Sequence, residues 1–226
     1  RLLLDDLRDL TQVASILTLI GQGYHRLSEI AGRLGKPATS LSRPMGRLVE
    51  LGLVRRDQPF GASPRDSKRS LYRIGDPFLR FWFRFVEPNR SRLESRQVVT
   101  VLREIRAYWA AHVAGIWEDL VRESVPRRRY LNRTWGPARP WWGPGTDRTP
   151  IEVDLVAEST DGAALLIGEV EWTPRPDPGR LHAEVRRKGN NLPFAHGREL
   201  VIGVWTSAGT GRGGHFGPGD ILRALQ

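Results

Sequence analysis

The chain has 226 residues, of which 35 are lysine or arginine and 25 are aspartate or glutamate, so its formal net charge is +10. It contains no cysteine, which excludes disulfides, thiolate zinc sites and cysteine nucleophiles. Its apolar runs are far shorter than the roughly 20 residues that span a bilayer, and its N-terminus lacks a signal-peptide layout, so we expect a cytoplasmic protein with no membrane contact.

The basic excess is concentrated in the first part of the chain. Residues 1–91 hold 16 basic and 9 acidic side chains, whereas residues 92–226 hold 19 and 16. A chain of this length is long enough to form two domains, each with its own core. We therefore predict an N-terminal domain at 1–91 and a second domain at 92–226, and we expect the first to contact DNA.

Three short helices and two strands are predicted at the start of the chain. Apolar residues recur at helical spacing in three segments: "TQVASILTLIGQG", "LSEIAGRLG" and "PATSLSRPMGRLVELGLV". Two strands, "GLVRRDQ" and "LYRIGD", then bracket the basic loop "PFGASPRDSKRS". This order is typical of a winged helix-turn-helix domain, in which the third helix enters the major groove and the loop forms a wing.

The DNA contacts of such a domain are predicted on the third helix and on the wing. They are Ser40, Arg43, Arg47, Arg65, Lys68 and Arg69. The basic side chains among them would neutralise phosphates. Pro44 lies inside the proposed recognition helix, where proline costs about 3 kcal/mol beyond the first turn. We therefore expect the helix to begin near Ser42 or to have a distorted first turn. The alternative is a protein–protein module whose charged face is simply solvated.

An aromatic segment, "DPFLRFWFRFVEP", follows the second strand. Phe78, Phe81, Trp82 and Phe85 recur at i, i+3, i+4 and i+7. Aromatic residues at this helical spacing are more often core than a base-stacking surface. We interpret the segment as a helix that links the two domains.

The second domain is predicted to be an α/β domain with a small mixed sheet. The order is a helix from Leu93 to about Val125, three strands, a helix and a last strand. The three strands are "ARPWWG", "IEVDLVAES" and "LLIGEVEWT". The helix after them is "GRLHAEVRRKGNNL", and the last strand is "ELVIGVWT". Helices then cover the sheet. The fold class of the whole chain is therefore α+β or α/β, with a winged helix-turn-helix first.

Two neighbouring strands carry carboxylates at alternating positions. Glu152 and Asp154 share a face of one strand, and Glu169 and Glu171 share a face of the next, because side chains alternate. The turn between the strands brings Asp154 near Glu169. Crowded carboxylates resist ionisation unless a cation is present, and Mg²⁺ or Mn²⁺ prefers such ligands. Glu118, on the preceding helix, completes the predicted metal shell. The alternative is an acidic cluster neutralised by nearby arginines, without a metal.

Segments along nearly the whole chain resemble a known family. The most specific are "DPFLRFWFRF" and "EVDLVAE" followed by "LLIGEVEWT". They resemble the C-terminal half of the archaeal-type AAA ATPase family, in which a winged helix precedes a C-terminal domain of unknown function similar to the PD-(D/E)XK nuclease superfamily. The resemblance implies an upstream ATPase domain as a partner. This chain itself has no G-x-x-x-x-G-K-[ST] motif and hence no predicted ATP site.

The nuclease motif of that superfamily is an acidic residue, a hairpin, then (Asp/Glu)-X-Lys. The resemblance implies that Asp154 and Glu169 are metal ligands, with Glu118 as the helix acid, and it places Glu171 at the position of the lysine. A carboxylate there opposes the stabilisation of developing negative charge that lysine provides. We expect Lys188, on the following helix, to reach back as a relocated lysine, with Arg187 as the weaker candidate.

Three functions are therefore open. The first is the DNA-binding C-terminal module of an ATPase, with a nuclease-like domain whose competence depends on the relocated lysine. The second is an active nuclease that uses Mg²⁺ or Mn²⁺. The third is a non-catalytic module that docks on the ATPase domain or its oligomer.

Overall fold

The computed structural model describes residues 2–63, 65–66, 68–173 and 175–226. The chain forms two compact units. The first consists of Arg1–Asp57 and Pro64–Tyr108, and the second of Gln58–Ser63 and Trp109–Gln226.

The first unit begins with three helices and a two-stranded antiparallel sheet. These elements are α1 (Leu2–Gly21), α2 (Leu27–Arg33), α3 (Ala38–Glu50), β1 (Val54–Asp57) and β2 (Leu71–Ile74). Their apolar faces form one core, which includes Ile16, Ile20, Ile30, Leu41, Met45, Leu48, Val54 and Ile74. The order and the packing confirm the predicted N-terminal helix-turn-helix domain.

The third helix contains a proline in its interior. α3 begins four residues before Ser42 and includes Pro44, so the prediction that the helix begins near Ser42 is wrong. Pro44 has no N–H to donate to the carbonyl of Ser40, which costs the helix one backbone hydrogen bond. Leu41 and Met45 are fully buried in the core. Burial of these two side chains offsets the lost bond.

The aromatic segment forms a series of short helical pieces that includes a π-helical turn. These pieces are α4 (Pro77–Phe81), the π turn (Trp82–Val86), a 3₁₀ turn (Glu87–Asn89) and α5 (Arg90–Glu94). Phe85 is buried, whereas Phe78 is 66% exposed. Phe83 packs against the core of the first unit. The expectation that all four aromatic residues form a core stripe is therefore wrong, because the π turn departs from the α-helical period.

A five-stranded mixed sheet is the centre of the second unit. In order along the sheet, its strands are β3 (Arg139–Pro144), β4 (Pro150–Glu158), β5 (Ala164–Glu171), β6 (Glu199–Thr206) and β7 (His215–Phe216). The pairs β3–β4 and β4–β5 are antiparallel, whereas β5–β6 and β6–β7 are parallel. The predicted α+β class is confirmed, and β5 lies at the centre of the sheet.

Helices cover both faces of this sheet. They are the C-terminal part of α6 (Val98–Ser124), α7 (Pro178–Asn190) and α8 (Pro218–Leu225). Trp117 of α6 and Ile221 of α8 belong to one core, together with Leu155 and Leu166 of the sheet. Val185 of α7 belongs to the core on the opposite face. None of the helices in the described part of the chain combines the length and apolar character needed to cross a bilayer.

A tryptophan fixes the backbone of the two central strands. A Cβ added at Gly168 or at Gly203 would lie 2.5 Å from the indole of Trp205. Only glycine at these positions lets the fully buried indole lie directly against β5 and β6. This contact holds the strand immediately before Glu169 in place.

Candidate active site and nucleic-acid interface

Asp154 lies at an irregularity in β4. The flanking register pairs are Arg139 with Val156 and Trp141 with Val153, so β4 has one residue more than β3 at this point. The residue of β3 opposite the irregularity is Pro140, which has no N–H to offer to the ladder. Val153 and Val156, an odd number of positions apart, belong to the same core. Bulges redirect side chains and are over-represented next to active sites.

The carboxylate of Asp154 is tied to the backbone of the neighbouring strand. Its Oδ2 accepts a hydrogen bond from the N–H of Val170 at 2.8 Å. Its own carbonyl oxygen accepts from Nη1 of Arg122, on α6, at 2.9 Å. Glu169 precedes Val170 on β5, so the two carboxylates that the sequence analysis paired are neighbours in the fold.

Lys188 of α7 reaches back to Glu169, as the sequence analysis expected. Its Nζ lies 3.1 Å and 2.9 Å from the two carboxylate oxygens of Glu169. It also lies 3.2 Å from Oε1 of Glu184, one turn earlier on the same helix. The side chains of Lys188 and Glu169 are only 14% and 19% exposed. Lys188 is therefore shared between two carboxylates in a largely buried position. Its catalytic role stays a prediction.

The site strongly disfavours ionisation of its carboxyl groups. Burial raises the pKa of Asp154 to about 7, and the negative charge of Glu169 raises it as well. The hydrogen bond from the N–H of Val170 acts in the opposite direction. Burial also raises the pKa of Glu169, although the hydrogen bond from Lys188 acts in the opposite direction. Burial alone would lower the pKa of Lys188, but its bonds to Glu169 and Glu184 raise it. Lys188 is therefore charged. Its single positive charge does not offset the effect of burial on the two carboxyl groups, whose pKa values stay raised.

The other predicted acids have arginine partners. Arg122 lies 3.6 Å from Oε2 of Glu118 and 2.7 Å from Oδ1 of Asp119. Nη2 of Arg180 lies 3.3 Å from Oε2 of Glu171, at a partly exposed position. The sequence analysis did not single out Arg122. Its spacing of three and four residues from two acids on one helix was the available signal.

Asp154 and Glu169 are the two neighbouring carboxylates of the site whose pKa values are raised. The raised pKa values of both groups are what a cation in this position would relieve. Across the residues described above, no group of three or more His, Cys, Asp or Glu is placed to hold a metal ion. A hard cation here would thus take two protein carboxylates and complete its shell with water, as Mg²⁺ commonly does.

The exposed face of α3 carries the predicted DNA-contacting residues. Ser40, Arg43 and Arg47 are all exposed, and the buried residues of the helix lie on its other face. Within the described ranges, neither arginine has an ion pair or hydrogen bond through its guanidinium. Oγ of Ser40 donates to the carbonyl of Pro37 at 2.7 Å. The two guanidinium groups are thus available to an anionic partner.

The predicted wing is divided between the two units. Gln58–Ser63 belongs to the second unit, where the N–H of Phe60 donates to the carbonyl of Pro140 at 2.8 Å. In the first unit, Oδ1 of Asp66 accepts from the N–H groups of Lys68 at 3.1 Å and Arg69 at 3.3 Å. Lys68 is exposed, as is Arg65, and Arg69 is half-buried. Asp66 therefore organises the turn that carries Lys68 and Arg69, and Arg65 directly precedes it.

Two family models match the chain. The model of the IclR helix-turn-helix domain matches residues 10–58, and DUF234, archaeal and bacterial proteins of unknown function, matches residues 82–185. An uncharacterized protein of Methanocaldococcus jannaschii is 27% identical over 183 residues, which are 79% of this chain and 40% of that protein. The chain thus spans less than half of the length of this relative. No solved structure matches the chain. The first match supports DNA binding by the N-terminal domain.

Proposed function

We propose that this chain is the DNA-binding C-terminal module of a cytoplasmic ATPase and that its second unit is a PD-(D/E)XK nuclease-like domain. The observation that carries the DNA-binding part is the exposed face of α3. Arg43 and Arg47 stand there without a carboxylate partner among the described residues, on a helix whose other face is fixed in the core. Guanidinium groups on a rigid helix are suited to phosphate and guanine contacts.

The test of DNA binding is its dependence on salt. We expect the whole chain to bind duplex DNA with an affinity that falls steeply and linearly with salt concentration on a logarithmic scale, because bound phosphates release counterions. Fluorescence anisotropy of a labelled duplex across a salt series measures this slope. Absence of binding at low salt would favour the alternative, a module that docks on the ATPase domain.

The upstream ATPase domain is what the family resemblance implies, and the relative is long enough to hold a further domain. The chain covers 40% of that protein, so more than half of the relative lies outside the match. A DNA-binding module attached to an ATPase would link ATP hydrolysis to occupancy of DNA, either in a single copy or in an oligomer. DNA-stimulated ATP hydrolysis by the full-length protein, lost when this module is deleted, is the expected result.

The nuclease-like part is supported by the pair Asp154 and Glu169 next to Lys188. These two carboxylates would hold Mg²⁺ or Mn²⁺, which when bound activates water and stabilises negative charge on a phosphate. In this chain, Lys188 holds Glu169 through both oxygens and brings a positive charge to the site. The N–H of Val170 holds Asp154 in place. Position 171 of β5, where the nuclease motif has a lysine, is a glutamate in this chain. Lys188 of α7 would supply the missing positive charge.

Binding of Mn²⁺ and cleavage of DNA are predicted to depend on Asp154 and Glu169. We expect Mn²⁺ to raise the thermal midpoint of the whole chain, because it binds the folded state. The increase should be lost in Asp154→Ala and Glu169→Ala, together with any Mn²⁺-dependent cleavage of DNA. Glu158→Gln is the matched control, since Glu158 lies on the same strand as Asp154 but pairs with Arg198 at 3.0 Å. An equal Mn²⁺ effect in all variants would place the cation elsewhere. A Mn²⁺ effect without cleavage would indicate a metal-binding domain that is catalytically silent.

Asp154→Asn is expected to stabilise the protein near pH 8 by about 2 kcal/mol. The pKa of Asp154 in the folded state is raised to about 7, so the unfolded chain loses its proton first as pH rises. The aspartate therefore contributes a stability that is present at low pH and lost between about pH 4 and pH 7. Asparagine keeps an oxygen that accepts from the N–H of Val170. Because it does not ionise, it avoids the loss of stability that ionisation of the aspartate causes. Urea unfolding at several pH values measures the difference.

Asp161→Asn is the control of opposite sign. Asp161 lies in the turn after β4, and hydrogen bonds from Ser159 and from the N–H of Ala163 lower its pKa. Its ionised form is favoured by folding, so asparagine at this position is expected to lower the thermal midpoint at pH 8. A lower midpoint for Asp154→Asn at pH 8 would contradict the buried, electrostatically unfavourable position assigned to Asp154.

A further inference from the structure

A cleft in the first unit is lined by none of the residues predicted to contact DNA. Its volume is about 660 Å³, and it is lined by the end of α1, by the π turn, by the turn and helix that follow it and by α6. Sites for small ligands have volumes of about 300–1,000 Å³ and a few polar groups that fix the ligand. The cleft therefore has room for a molecule of nucleotide size.

Arg84 is the cation of this cleft. Its guanidinium lies over the ring of Phe85, 5.3 Å from the centroid. In the described parts of the chain, Arg84 has no carboxylate partner and no hydrogen bond through its side chain. Burial lowers the pKa of Arg84, and the neighbouring charge of Arg80 acts in the same direction. A half-buried guanidinium beside a second one is costly unless an anion compensates it.

The backbone that carries Arg84 has an unusual conformation. The N–H of Glu87 donates to the carbonyl of Trp82, the i to i+5 bond of a π turn. The end of α1 packs closely on this turn, because a Cβ at Gly21 would lie 2.6 Å from the carbonyl oxygen of Phe83. π turns inside helices are rare and are frequent at functional sites. The turn places Arg84 in the wall of the cleft.

The other polar groups of the cleft are fixed by one another. Nη1 of Arg92 lies 2.5 Å from Oε1 of Glu104 and 3.2 Å from Oδ1 of Asn89. Only this nitrogen of Arg92 has a partner among the described residues. Tyr108 borders the cleft and is 59% exposed. The two arginines exceed the single glutamate in charge, and an exposed aromatic ring lies beside them.

We propose that this cleft binds a nucleotide, with its phosphate at Arg84 and its base stacked on the ring of Tyr108. Arginine is suited to bidentate phosphate contacts. A tyrosine face accepts any base, since every base has a π-face. The same chemistry is offered by a free mononucleotide and by the terminal nucleotide of a DNA strand. This assignment is independent of α3 and of the carboxylate site.

The experiment measures binding to the whole chain by isothermal titration calorimetry. The probes are the 5′-deoxynucleoside monophosphates, inorganic phosphate and a short single strand of DNA. We expect a mononucleotide to bind, and its affinity to fall by about tenfold or more in Arg84→Gln, which removes a charged hydrogen bond. Tyr108→Ala should weaken it by about fivefold, because stacking is lost.

Two controls separate this cleft from the rest of the protein. Arg90→Gln makes the same charge change at an exposed position outside the cleft and should leave nucleotide binding unchanged. The double variant Arg43→Ala with Arg47→Ala should also leave it unchanged. Arg84→Gln should keep the thermal midpoint, because it removes an uncompensated charge. Arg84→Lys is the second variant, which keeps the charge and loses the bidentate geometry.

The results divide clearly. Binding of a mononucleotide that depends on Arg84 supports the proposal with a free nucleotide as the ligand. Binding of the single strand alone, with the same dependence on Arg84, supports it with a strand end as the ligand. If inorganic phosphate binds as tightly as the nucleotide, or if Tyr108→Ala leaves the affinity for the nucleotide unchanged, the nucleotide assignment is overturned. No binding of any probe, with a lower thermal midpoint in Arg84→Gln, overturns it in favour of an arginine that stabilises the end of α1.

Discussion

Replacing Arg43 and Arg47 together by alanine is expected to weaken DNA binding by about 100-fold at moderate salt, since each guanidinium contact to a phosphate or guanine contributes about 1–3 kcal/mol. Both residues lie on the exposed face of α3 and make no ion pair within the described parts of the chain. Their loss therefore removes DNA contacts and leaves the fold of the first unit intact. Anisotropy of a labelled duplex measures the affinity, and thermal unfolding verifies the fold.

The salt dependence distinguishes direct contacts from a general effect of charge. Each lost phosphate contact is expected to reduce the slope of log affinity against log salt by about 0.9. The control is Arg90→Ala with Arg103→Ala, which removes two exposed arginines from α5 and α6. An equal loss of affinity in both double variants would show that overall charge, and not α3, determines binding. Unchanged affinity in the α3 variant would make the recognition-helix assignment wrong.

The helix-turn-helix domain was predictable because its core follows simple periods. Leu41, Met45 and Leu48 recur at helical spacing, and all three are buried in the structure. The effect of Pro44 was not predictable from local cost alone, because the surrounding core holds the helix together. The π turn was not predictable either. It changes which aromatic side chains reach the core, and Phe83 packs there although the α-helical period pointed to Phe78.

The candidate site was predictable as far as strand alternation reaches. Glu169 and Glu171 share a face of β5, as strand alternation predicted, and their partners Lys188 and Arg180 both come from α7, which covers that face. The bulge at Asp154 depends on the register with β3, which a single strand does not reveal. The pairing of Glu118 with Arg122 depends on side-chain geometry on α6. The register with β3 is a tertiary feature that leaves no period in the sequence, whereas the spacing of four residues between Glu118 and Arg122 was a local signal.

The element that supplies the lysine affects how much positive charge the site has available. Lys188 is held by Glu169 and by Glu184, so part of its charge is already compensated. In the nuclease motif, the lysine stands on the strand itself, two residues after the acidic residue. A lysine at that position would point to the same face of β5 but would not be paired with Glu184 of α7. The arrangement therefore competes with a cation for Glu169. This competition gives the metal hypothesis a measurable consequence.

Lys188→Met is expected to destabilise the protein by about 2–3 kcal/mol near pH 8. Glu169 is 19% exposed and loses the cation bonded to both of its oxygens, which leaves a largely buried charge without compensation. Since the pKa of Glu169 is already raised by burial, it rises further without the lysine, and the protonated form is favoured at low pH. The destabilisation should therefore be smaller near pH 5 than near pH 8. Urea unfolding at both pH values measures it.

The pairwise contribution is isolated by a cycle with Glu169→Gln. Glutamine at 169 removes the uncompensated charge, so the double variant should recover about 2 kcal/mol at pH 8 relative to the sum of the single variants. Arg180→Met is the matched control on the same helix, and it should cost less than about 1 kcal/mol because Arg180 is exposed.

Mn²⁺ then tests whether the site holds a cation. With the lysine absent, the metal no longer competes for Glu169, so the increase in thermal midpoint on adding Mn²⁺ should be larger in Lys188→Met than in the parent chain. An equal increase in both would show that the cation does not use Glu169. No increase in either, together with the predicted cycle energy, would make the cluster an ion pair that serves the fold alone.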